Sequence, residues 1–164
     1  PSEAIARAGM IFGITSGAAL IWPLFMGVIL DRVPRLIAIG IAFTLASGGY
    51  MSLSLVDDPL AGAMIAAAIL AGVGEASVVI SAGTLVGQVA PVESRGAVFG
   101  TFGFAGSLGI VVLTFIGGRL FDTFGPDATF LMMSGVNAVV ALGTVVLFLR
   151  LGADGVSYPR LSQI

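Results

Sequence analysis

Glu75 is the one charged residue between Asp58 and Glu93, in the middle of a long apolar run. A carboxylate so placed costs several kcal/mol unless it faces protein or water, is paired, or takes up a proton. Such a group binds a solute or exchanges a proton in a polar cavity, or makes a structural hydrogen bond to a neighbouring helix. Ser77, Ser81, Thr84 and Gln88 follow at spacings of four, three and four residues, one polar stripe on a helical period. At 100° per residue Glu75 projects from roughly the opposite side of the same helix. The stripe either lines a pathway or links helices, and small hydroxyl residues commonly do the second. Asn137, in a later apolar run, also needs hydrogen-bond partners if it lies in lipid.

The residue types that are missing narrow the chemistry further. With no His, no Cys and no Lys, the chain lacks the side chains for usual zinc, copper or iron–sulfur sites, for thiol or imidazole chemistry and for a Schiff base. No cofactor and no enzymatic activity are expected. Seven Arg in 164 residues are too sparse for a nucleic-acid surface. Pro1 in place of Met is read as the mark of a segment processed or cut from a longer chain.

These groups must be positioned by elements of an unusual composition. The chain is 57% hydrophobic and 10% charged, too few charges to cover a water-facing surface, so membrane lipid is the expected surrounding. Charges and prolines divide it into five stretches of membrane-spanning length: Ala8–Leu30, Leu36–Val56, Leu60–Ala90, Ala97–Gly118 and Ala128–Leu149. The expected fold is an all-α, polytopic transmembrane bundle over residues 1–150, followed by a tail at 151–164. Pro23 should kink the first stretch beside Trp22. Pro59 and Pro126 can open the helices that follow them. Glycines recur at Gly9, Gly13 and Gly17, at Gly83 and Gly87, and at Gly100, Gly103, Gly106 and Gly109, a spacing suited to close helix packing. Arg32, Arg35, Arg95, Arg150 and Arg160 fall on one side, Arg7 and Arg119 on the other. The positive-inside rule then puts the N-terminus outside and the C-terminus, with its tail, in the cytoplasm of an inner or plasma membrane.

Gly27-Val28-Ile29-Leu30-Asp31-Arg32-Val33-Pro34-Arg35 resembles the Gly-x3-Asp-Arg-x-Gly-Arg signature of the major facilitator superfamily, with Pro34 where the family has glycine. Pro91-Val92-Glu93-Ser94-Arg95-Gly96, a glycine-rich helix and Gly117-Gly118-Arg119-Leu120-Phe121-Asp122-Thr123-Phe124-Gly125 are similar to that family's connection into its fifth or eleventh helix and that helix's end. The resemblance implies half of such a fold lacking its first helix: helices two to six, or eight to twelve. It further implies that Asp31, Arg32 and Arg35, with Glu93 and Arg95, belong to gating loops, and that Glu75 lies on a helix beside the central cavity. The function so implied is secondary active transport of a small organic solute, with a proton as possible partner, by alternating access against a second helical bundle. The alternative is a transporter-derived structural subunit packed against a larger membrane complex.

Overall fold

The computed structural model of the chain describes residues 2–30, 32–56, 58 and 60–151. They form six α-helices: α1 (Ser2–Ile21), α2 (Pro23–Leu30), α3 (Arg35–Ser54), α4 (Gly62–Val89), α5 (Arg95–Phe124) and α6 (Pro126–Leu151), with a 3-10 turn at Val92–Ser94. Four helices, α3 to α6, are long and apolar enough to cross a membrane, and α1 with α2, bent by 42°, brings the number to five if the pair counts as one span. The chain is thus an all-α bundle of four to five membrane-spanning helices.

Local chemistry sets the breaks. Pro23 has no N–H to give Ala19, so the first helix stops at Trp22. It restarts with the Trp22 carbonyl accepting from Phe25 and Met26 at 3.0 and 3.1 Å. Pro91 forces Ala90 into an extended conformation, ψ 125°, which ends α4. Asp58 accepts the Leu60 N–H at 3.0 Å in the turn that leads to α4. Asp31, Asp57 and Pro59 lie outside the described residues, as does the tail beyond Leu151.

Helices run past the apolar stretches in places: α1 begins at Ser2, ahead of Ala8, and α5 outlasts Gly118. The fourth stretch was expected to end at Gly118, with Arg119 to Asp127 as a connection, but α5 continues to Phe124. Charges mark the edge of the lipid and do not break a helix. The helix stops at Gly125, whose φ of 94° disfavours any residue with a Cβ, and Pro126 opens α6 directly. Thr123, just before this turn, donates back to the Arg119 carbonyl at 2.8 Å.

Across the bundle the helices pack in the order α1, α4, α3, α6, α5. Small residues fill the interior: Ala38, Ala42, Ala46 and Gly49 of α3 lie buried, as do Ala67, Ala68, Ala71, Gly72 and Gly74 of α4. A Cβ added to Gly49 would sit 2.5 Å from the Ala71 Cα, and one added to Gly74 would sit 2.5 Å from the Ala46 Cα. Gly72 makes a similar approach to the Thr15 carbonyl of α1. Lipid gives helices no hydrophobic reason to associate, so this close fit is what holds α3, α4 and α1 together. The glycine series singled out by spacing behaves otherwise. A Cβ at Gly9, Gly13, Gly17, Gly83, Gly100, Gly103, Gly106 or Gly109 meets nothing within 4 Å, while Gly87 faces Phe99 at 3.3 Å. Large apolar side chains such as Phe12, Leu20, Phe104 and Leu149 point outward.

Candidate functional site

Glu75 lies 13 residues from the start of the 28-residue α4 and 14 from its end, about 20 Å from either at 1.5 Å per residue. Its side chain is exposed on the surface of the bundle, at the depth where lipid would be driest. The phenol of Tyr50, half-buried on α3, donates a hydrogen bond to Glu75 Oε1. Two glycines set that meeting. Tyr50 follows Gly49 and Glu75 follows Gly74, and both glycines approach the opposite backbone closely, so the α3–α4 register is locked between the two residues. Tyr50 carries no distinguishing signal in the sequence beyond being the one tyrosine among the apolar stretches.

The polar stripe takes a different direction. Ser77 and Ser81 are 1% and 3% exposed, in the interior, whereas Thr84 is half-buried and Gln88 exposed. Trp22 Nε1, at the break of the first span, donates to Ser77 Oγ at 2.7 Å. Ser77 donates its own hydroxyl proton to the Val73 carbonyl at 2.7 Å, and Ser81 does likewise to Ser77 at 2.6 Å. The upper half of the stripe therefore ties the bent span to α4, and does not converge on Glu75. Asn137 is buried on α6, and its amide donates to Met133 in the same helix at 2.8 Å. The cross-link between α3 and α6 comes from Ser47, whose hydroxyl donates to the Ser134 carbonyl at 3.0 Å and lies 3.1 Å from the Ser134 hydroxyl. Neither serine stands out in sequence, because single hydroxyls are common in membrane helices.

Of the gating-loop candidates, Arg32 is exposed and Arg35 half-buried between α2 and α3, and Glu93 and Arg95 are exposed between α4 and α5. Alternating crossings put these two connections at the same end of the bundle, while Asp31 is outside the described residues. At the opposite end Arg119 lies over the Phe115 ring of its own helix, 5.4 Å from the centroid.

Apolar grooves also open on the surface. One of about 540 Å³ runs between the bent span and α4, lined by Gly17, Ala18, Trp22, Phe25 and Val73 among others. Another of about 420 Å³ separates α5 from α6 beside Gly117 and Thr129. Neither includes Glu75. Among the described residues no three Asp or Glu side chains gather closely enough to hold a metal ion.

The arrangement, then, is a membrane bundle with one charged group at mid-depth, and residues 3–161 match the family model of the Major Facilitator Superfamily. The chain belongs to that superfamily of membrane transporters. It is 27% identical over 158 residues to magnetosome protein MamH of Paramagnetospirillum magneticum, a match covering 94% of this chain and 36% of the relative. It is 31% identical over 143 residues to magnetosome protein MamZ of Magnetospirillum gryphiswaldense, covering 85% and 22% respectively. The MamZ of Paramagnetospirillum magneticum is 30% identical with the same coverage. The chain spans about a third of MamH and less than a quarter of MamZ. No solved structure matches it.

Proposed function

We propose that this superfamily member is part of a secondary active transporter that moves a small organic solute by alternating access, working against a second helical bundle. Glu75 is the group on this side of the path that binds the solute or exchanges a proton with it. One observation carries the reading: among the described residues, Glu75 is the charged group at mid-length of a span, and it lies on a face that this bundle leaves uncovered. A face turned to hydrocarbon would leave that carboxylate with one neutral donor, whereas a water-filled path between two bundles would solvate it. Alternating access around a midplane site places binding groups at this depth. The relatives, of which the chain spans a minor part, leave room for the second bundle. In this reading the N-terminus is outside and Arg32, Arg35, Glu93 and Arg95 line the cytoplasmic end, where their contacts favour one state of the cycle over the other.

The second reading, a transporter-derived structural subunit of a larger complex, draws on one finding: the matched relatives are named as magnetosome proteins and their names mention no solute. Proteoliposomes holding the full-length protein and a trapped pH dye separate the two. Transport predicts a proton flux evoked by a subset of added organic solutes, lost in Glu75→Gln while solute exchange at equal pH persists. A full-length protein that evokes no such flux and purifies in fixed stoichiometry with unrelated membrane proteins supports the structural subunit.

A further inference from the structure

The apolar stretches, residues 8–30, 36–56, 60–90, 97–118 and 128–149, hold a single carboxylate, Glu75, a single phenol, Tyr50, and no basic side chain. These stretches of the chain therefore supply no cation to neutralise Glu75. Within them its charge is met by hydrogen-bond donors, by water, or by a proton.

We propose that Tyr50 is the positioning residue for proton exchange at Glu75: its phenol holds the ionised carboxylate along the α3–α4 seam, facing the uncovered side of the bundle. This rests on the reading of Glu75 as a coupling group. The geometry behind it is the pair of glycine contacts between the two residues along the seam. Gly49 against Ala71 and Gly74 against Ala46 bring the two backbones together, and the residue after each glycine is one member of the pair. Neither helix can slide without opening a contact between backbones, so the phenol is presented to the carboxylate by the packing and not by a chance rotamer.

The surroundings isolate the pair. The helices packed on α4 are α1, α2, α3 and, at one end, α5. Their described charged groups are Arg7, Arg35 and Arg95, with Arg119 and Asp122 on the far end of α5. Arg7 lies eight residues from Thr15, the α1 contact of Gly72, and Arg35 lies fifteen residues from Tyr50. At 1.5 Å per residue these are separations of about 12 and 22 Å along their helices. Arg95 belongs to the end of α5 that meets Gly87, twelve residues from Glu75 and about 18 Å along α4. The described side chain that touches Glu75 is therefore the Tyr50 phenol, which donates to it.

The test is the reaction of the full-length protein in membranes with dicyclohexylcarbodiimide, an apolar reagent that couples to a carboxyl in its protonated form. The adduct on the Glu75 peptide is counted by mass spectrometry across pH, and Glu75→Gln fixes its assignment. The expected result is labelling of Glu75 that depends on pH, with a profile displaced in Tyr50→Phe by about one to two pH units, the size of one hydrogen bond to a charged acceptor. Ser47→Ala, which loosens α3 from α6 without touching the pair, leaves the profile in place. Coincident profiles for Tyr50→Phe and the parent overturn the role of Tyr50 and leave that of Glu75 standing. An equal displacement in Ser47→Ala overturns it as well, since the effect is then general loosening. Labelling that is absent or independent of pH in the parent overturns the coupling role of Glu75 itself.

Discussion

A hydroxyl in hydrocarbon seeks a partner, and Ser77 has two: it donates to Val73 and accepts from Trp22. The second bond fixes the indole at the break of the first span against α4, so it couples the bend to the helix that bears Glu75. Interhelical hydrogen bonds of this kind contribute about 0.6 kcal/mol on average and up to about 1.7. A double-mutant cycle of Trp22→Phe and Ser77→Ala on the full-length protein, read by reversible unfolding in detergent, is expected to give a coupling in that range. A coupling of zero removes the latch from the account. At this scale the sequence was partly readable. Glu75 stood out because one charge in a long apolar run has few explanations. Tyr50 and the Ser47–Ser134 bridge did not, because what each side chain touches depends on the register between helices, which no single-helix pattern contains. The same limit applies to Asn137, whose amide turned out to serve its own helix.

Elements were more legible than contacts. Five apolar stretches and the proline break follow from hydropathy and from the missing N–H of Pro23, and the structure forms a broken first helix and four long ones. Charges near the end of α5 mark the edge of the lipid and do not end the helix, which needs Gly125 at positive φ to turn. The glycines taught the larger lesson. Regular spacing pointed to Gly100, Gly103, Gly106 and Gly109, yet the close approaches belong to Gly49, Gly72 and Gly74, in small-residue runs shared with Ala46 and Ala71. Spacing identifies a smooth face but not what lies against it. Gly74→Ala is therefore expected to destabilise the bundle by about 1–3 kcal/mol, the usual cost of forcing atoms into a filled contact. Gly103→Ala, with open space around it, should be neutral or stabilising by up to about 1 kcal/mol through helix propensity. Thermal unfolding of the two variants of the full-length protein checks this, and equal losses would contradict the packing described.

At the scale of the whole molecule, small residues lie inside and large apolar ones outside, the inverse of a water-soluble core and a natural arrangement for a bundle in lipid. The bundle nevertheless leaves Glu75 on an uncovered face, and the relatives it matches are much longer. The central claim is that this face borders a water-filled path shared with a second bundle. Val79, one turn beyond Glu75, is 70% exposed on that face, and Leu142, 64% exposed on α6, serves as a lipid-facing reference. The 164 residues contain no Cys, so a single substitution here adds one assignable thiol. The decisive measurement is the rate at which a membrane-impermeant maleimide labels Val79→Cys and Leu142→Cys of the full-length protein in sealed vesicles of each orientation. The account predicts labelling of Val79→Cys from both sides of the membrane and none of Leu142→Cys above the parent. Equal, background labelling of the two would contradict it, because the face that carries Glu75 would then be sealed from water.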